Sequence, residues 1–154
     1  MILFIPSCLS DENSNDDLSL LDKESITFRG EDNSLYTGSV FNAYFPESDD
    51  GYDVIVTSDK PGLAQGKIEK DGRVKATITI VDLHNKPNMF EKYEGAVGSL
   101  DGLPMIPKGN KGTAVLVANR FQVQVRSIDP EFTEPYRMAW LRKFNISKLN
   151  DLAE

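Results

Sequence analysis

The chain holds one histidine, His84, and one cysteine, Cys8, among its 154 residues. A structural zinc site takes four ligands, usually cysteine and histidine, so this set is too small to build one. No Gly-x-Ser-x-Gly turn presents a serine nucleophile for His84 to activate, and His84 reads as an ordinary loop histidine. The carboxylates of Glu47, Asp49, Asp50 and Asp53 crowd one short loop. Their spacing, and the place of Gly51, differ from those of an EF-hand calcium loop. They read as a solvated acidic loop, with Asp49, Asp50 and Asp53 as candidates for meeting a basic partner. A glycosidase-type carboxylate pair is assembled in space, and nothing in the sequence favours one. The glycines at 95–102 have no following lysine, so they make no phosphate loop. A last candidate is the alternation Gln122, Gln124, Arg126. With Thr77 and Thr79 it places polar side chains on one sheet face, a surface for binding a partner. No cofactor and no metal is expected, and the chain reads as non-enzymatic.

The elements that position these residues centre on residues 113–127 (TAVLVANRFQVQVRS). Residues 114–118 form a continuous apolar run, as in a strand buried on both faces. Phe121, Val123 and Val125 alternate with Gln122, Gln124 and Arg126, giving a strand with one dry and one wet face, joined to the first at Asn119-Arg120. The clearest hairpin is 67–70, Asp71-Gly72, 73–83, because Asp-Gly supplies the positive φ values of a tight turn. In its second arm Val74, Ala76, Ile78 and Ile80 face one way, and Lys75, Thr77 and Thr79 the other. Further strands are expected at 25–29 (SITFR) and 52–57 (YDVIVT); at 35–45 strand and helix readings compete, and Thr37, Gly38 and Val40 favour a strand with a bulge or break. Residues 58–66 read as a turn around Pro61-Gly62. Residues 89–97 read as a short helix, and 98–112 as a partly buried loop or short strand. Thr133 is the expected N-cap of a helix over 133–144, with Glu134 in its first turn and Pro135 tolerated there. Tyr136, Ala139, Trp140 and Phe144 would make its apolar stripe, and Arg137, Arg142 and Lys143 its outer side. Ser147 would cap a final turn carrying Leu149 and Leu152 to the core.

These elements predict an α+β fold: an antiparallel sheet of five to seven strands, with a C-terminal helix packed on one face. The expected hydrophobic seam is Phe28, Val54, Val56, Val74, Ile78, Ile80, Val115, Val117, Phe121, Val123, Val125, Tyr136, Trp140 and Phe144. Residues 25–154 would be one globular domain, a length sufficient for a real core.

Charge is unevenly placed on a chain of net −7. Residues 1–24 carry six acids and one base, so the remainder is nearly neutral. That balance argues against a nucleic-acid binder, which needs a basic surface. Residues 31–60 hold seven acids against one lysine, and residues 108–148 eight bases against three acids. Such segments compensate each other when they are neighbours in the fold.

The first residues, MILFIPSCLS, run from an apolar stretch through Pro6-Ser7 to Cys8, and an acidic segment without aromatics follows. Ile5-Pro6-Ser7-Cys8 resembles the lipobox of bacterial lipoproteins. The resemblance implies cleavage before Cys8 and acyl chains on it, which anchor a protein to a membrane. No basic n-region precedes, and only about five apolar residues stand where a signal core has 7–15. Residues 1–24 therefore read as a truncated signal and lipid-anchor segment followed by a disordered acidic tether. The implied address is the bacterial cell envelope, on the periplasmic or surface side. The implied role is to bind a protein partner or support an envelope assembly. Two alternatives stand beside it: a small acidic inhibitor or immunity-type protein, and an enzyme whose site is assembled only in space.

Overall fold

Asp71 and Gly72 turn the chain with φ of 55° and 75°, and the two strands they join begin the sheet. The structure, a computed structural model, describes residues 35–153. Its strands are β1 (Tyr52–Lys60), β2 (Leu63–Lys70), β3 (Arg73–Asp82), β4 (Gly98–Leu100), β5 (Leu103–Lys108), β6 (Gly112–Val117) and β7 (Phe121–Ser127). Its helices are α1 (Gly38–Phe41), α2 (Pro87–Glu91), α3 (Glu134–Lys143) and α4 (Ile146–Leu152). The seven strands form one sheet in the order β1-β2-β3-β7-β6-β5-β4, and every pairing is antiparallel. The fold is α+β, with the C-terminal helices on one sheet face, as the strand periodicity predicts. The strand expected at 25–29, with Phe28, lies outside the described residues.

The first face carries the main core. Ile68, Ile78, Ile80, Val115, Val123 and Val125 are fully buried there, against Phe41, Trp140, Leu141, Phe144 and Leu149. Tyr36, Phe41 and Phe121 meet ring to ring, with centroids 5.6–6.4 Å apart. The Tyr36 hydroxyl donates to the Leu152 carbonyl at 2.8 Å, which ties the end of α4 to the start of the described chain.

Several expectations are corrected. Residues 38–44 are α1 followed by a 3₁₀ turn at Asn42–Tyr44, not a strand. The reason is a close approach: a Cβ on Gly38 would lie 2.2 Å from the Leu63 carbonyl oxygen and 2.5 Å from Lys60 backbone atoms. Only glycine lets α1 sit on the β1–β2 turn. That turn is only Pro61-Gly62, and the strands take in the rest of 58–66. The β6–β7 loop turns on Ala118 and Asn119, both at positive φ, one residue before the expected pair. The short helix is α2, at Pro87–Glu91, and Val97 beyond it is fully exposed. Residues 98–100 and 103–108 are both strands, β4 and β5.

In α3, Thr133 stands at the N-cap position without a side-chain cap bond, and Asn145 rather than Ser147 precedes α4. The buried stripe of α3 is Arg137, Trp140 and Leu141, continued by Phe144. Tyr136, expected in the core, is half exposed and stacks on Phe132 at 5.5 Å. Val56 is 42% exposed on β1, and Val74 is only partly buried.

Candidate functional site

His84 follows β3 on the exposed surface, and its backbone N–H donates to Asp82 Oδ1 at 3.1 Å. Asp82 is fully buried, and Arg120 grips it through Nε and Nη2, each at 2.9 Å. This pair clamps the β6–β7 turn to the end of β3. Around the acidic loop, Asp49 takes the Lys143 ammonium at 2.7 Å, and that bond holds its carboxyl below the usual range. Asp50 sits at φ 56°, where it shapes the turn into β1. Asp53 is exposed on β1 and pairs across the ladder with Glu69. Among the described residues, no three His, Cys, Asp or Glu side chains gather to hold a metal. Cys8 lies outside the described residues.

The second sheet face is built in transverse rows, because paired residues of an antiparallel sheet share a face. One row runs Leu63, Val81, Gln122, Leu116. The segment 83–97 folds over it, seating Leu83, Tyr93, Met89 and Phe90 on Val81, Ala114 and Leu116. Gln122 is therefore not on a wet face: it is 2% exposed, and the buried Tyr93 hydroxyl donates to its Oε1 at 2.8 Å. Apolar neighbours Ala114 and Leu116 favour covering this half, and the amide is matched by the Tyr93 hydroxyl.

The next two rows are covered only in part: Ala114 and Gly112 are buried, Gln65 is exposed, and Thr77, Thr79, Gln124, Arg126 and Lys108 are half-buried. The rows are Gln65, Thr79, Gln124, Ala114, Ile106 and Lys67, Thr77, Arg126, Gly112, Lys108. At about 4.8 Å between strands, each spans roughly 19 Å. At the β5 end a cavity of about 500 Å³ is lined by Lys92, Lys108 and Arg126, with Ile106, Pro107 and Gly109 and no carboxylate. These three cations form no ion pair among the described residues. Burial, then repulsion by Lys92 and Arg126, holds the Lys108 ammonium below its ordinary pKa. Arg126 Nη2 spends one donor on the Lys108 carbonyl at 3.3 Å, which fixes the guanidinium beside that lysine.

No family model matches the chain. Neither curated proteins nor solved structures yield a match.

On the first face, Arg137 enters the core edge from α3 and is 7% exposed. Its Nε donates to Thr113 Oγ1 and its Nη1 to Ser127 Oγ, both at 2.9 Å. Ser127 Oγ in turn donates to the Phe132 carbonyl. Beside it opens a cavity of about 450 Å³ whose walls include Asn110, Lys111, Ile128, Phe132 and Thr133. Sequence reasoning placed Arg137 on the outer side of the helix and singled out neither Lys92 nor Lys108. The missed signal was Thr113 and Ser127: two hydroxyls on the inward side of buried strands call for a buried donor.

Proposed function

We propose that the protein is a bacterial envelope lipoprotein with a non-enzymatic binding role. Acyl chains on Cys8 hold it to a membrane, and the partly covered half of the second sheet face receives a partner presenting anionic groups. The observation that supports the binding role is the strip itself. Gln124 and Arg126, with Thr77, Thr79 and Lys108, offer an amide, hydroxyls and cations on one sheet face. Clustered cations without counter-charges raise the local potential, which draws in and orients anionic partners. Between Cys8 and Leu35 stand 26 residues.

A second reading, an acidic inhibitor meeting a basic partner, has weaker support. Asp49 is already neutralised by Lys143 and Asp50 shapes a turn, so of the three aspartates Asp53 is left.

The address is tested by feeding a clickable fatty acid to a bacterial host expressing the gene with its upstream frame. Label on the protein, lost in Cys8→Ser, is expected; unlabelled protein that keeps Met1 refutes the anchor. The binding face is tested with a photo-crosslinking residue at Gln124 in the anchored protein. A discrete adduct, lost on Arg126→Glu, is expected, and an adduct indifferent to that charge reversal refutes the strip.

A further inference from the structure

We propose that the cavity at the start of α3 binds a small organic carboxylate with an apolar body, and that Arg137 takes the carboxylate. The site lies on the sheet face opposite the cation strip and stands without it. Moving a guanidinium out of water costs several kcal/mol unless a counter-charge meets it. Arg137 is buried, yet it forms no ion pair with any described carboxylate. The two acids that line the cavity are otherwise disposed. Asp129 holds Lys75 at 2.7 Å and accepts the Glu131 N–H at 2.9 Å, and Glu134 is exposed.

The fork is also held in place. Ser127 gives its proton to the Phe132 carbonyl, so its oxygen is left to accept from Nη1, while Thr113 accepts from Nε. Nη2 has no protein acceptor among the described residues and is not among the sealed, unsatisfied atoms, and Arg137 is one of the residues that line the cavity. A pre-oriented, partly desolvated guanidinium with a spare edge is the arrangement that binds a carboxylate strongly. Lys111 on the wall adds a second cation. The Thr133 hydroxyl caps no backbone N–H, which leaves first-turn donors of the ten-residue α3 without a side-chain acceptor.

The walls choose the ligand. Asp129 and Glu134 also line the cavity, so a dianion such as phosphate meets about twice the repulsion that a monoanion does. Ile128, Pro130 and Phe132 give an apolar side. About 450 Å³ suits a ligand of benzoate size or somewhat larger.

The test titrates the full chain with benzoate, with neutral benzamide and inorganic phosphate as comparison arms, read by amide and arginine Nε chemical shifts. Saturation by benzoate in the low-millimolar range is expected, with shifts at Thr113, Ser127 and Arg137 and none from benzamide. Arg137→Met should weaken benzoate at least about tenfold, since it removes the paired charge. Lys111 is exposed, so Lys111→Gln keeps the fold, and it should weaken benzoate by roughly three- to tenfold. The proposal is overturned if the folded wild type does not saturate by about 50 mM benzoate, if phosphate binds more tightly, or if both variants bind unchanged.

Discussion

Replacing Asp82 should unfold this domain more readily than replacing any other acid described. The carboxylate is wholly buried and accepts four hydrogen bonds: Arg120 Nε and Nη2 at 2.9 Å, His84 N at 3.1 Å and Tyr36 N at 3.2 Å. It joins the entering chain, the end of β3 and the β6–β7 turn at one point. Asp82→Asn keeps the shape but removes the charge and turns an amide NH₂ towards donors. The two bonds to Arg120 are charge-assisted, each worth about 1.5–3 kcal/mol, and breaking one side of a buried pair costs about 3–5 kcal/mol. For a body of this size, about 3 kcal/mol corresponds to a fall in Tm of roughly 10 °C. Urea denaturation at constant m-value measures it directly. Arg120 also lies over the Tyr36 ring at 4.8 Å and the Phe121 ring at 5.6 Å, so Arg120→Met keeps much of the packing. The double variant should therefore lose less than the sum of the singles, with a coupling of about 2 kcal/mol. An Asp82→Asn loss below about 1 kcal/mol, or simple additivity, would mean that the pair behaves like a surface ion pair and would refute the reasoning.

Tyr93→Phe strands the buried Gln122 carbonyl oxygen, and a loss of about 1–3 kcal/mol is expected by denaturant titration. Burial pushes the Tyr93 phenol above its ordinary pKa of 10.0. The stability it contributes is thus complete below about pH 10 and declines as pH rises beyond it, so phenolate absorbance from Tyr93 should appear only with unfolding. At the acid end, hydrogen bonds from Lys75 and Lys143 hold the Asp129 and Asp49 carboxyls below 3.8. Their contributions are present above about pH 4 and are lost as pH falls through the lowered values, and Asp129→Asn should flatten that limb of a stability-against-pH curve. Gly38→Ala should cost about 3 kcal/mol or more, because the clash is with backbone that cannot rotate away. Gly72→Ala meets open space and should cost only about 1 kcal/mol, for its positive φ; equal losses in the two would sink the close-approach account.

The strands were the legible part of the sequence. Ile78, Ile80, Val123 and Val125 repeat at the two-residue period that a pleated, half-buried strand imposes, and Asp71-Gly72 carries its turn geometry in its own residue types. Residues 38–44 were illegible for the opposite reason. Their aromatic and β-branched side chains favour a strand locally, while the contact of Gly38 with the β1–β2 turn exists only in the folded protein. In α3 the stripe Arg137, Trp140, Leu141, Phe144 is a clean i, i+3, i+4, i+7 series. It was passed over because a charged residue heads it. The phase was readable, but the burial of an arginine was not. Of the cation cluster, Arg126 came from strand alternation, whereas Lys108 joins it through pairing register and Lys92 through the fold of a loop.

The near-neutral charge of residues 25–154 conceals a separation that bears on both binding proposals. Asp82, Asp129, Asp49, Asp101 and Glu69 each hold a cation within the domain. Lys92, Lys108 and Arg126 on one face, and Arg137 with Lys111 on the other, form no ion pair among the described residues. Salt should tell the two places apart. The strip is only partly covered, and at physiological ionic strength the screening length is about 8 Å, shorter than the strip is wide. Attraction across it should therefore weaken steeply as salt rises. Arg137 is buried and contacts its ligand directly, so benzoate affinity should change far less over the same range. Equal salt dependence at the two sites would mean that Arg137 acts as one more surface charge, and the geometric argument for a built carboxylate site would fall with it.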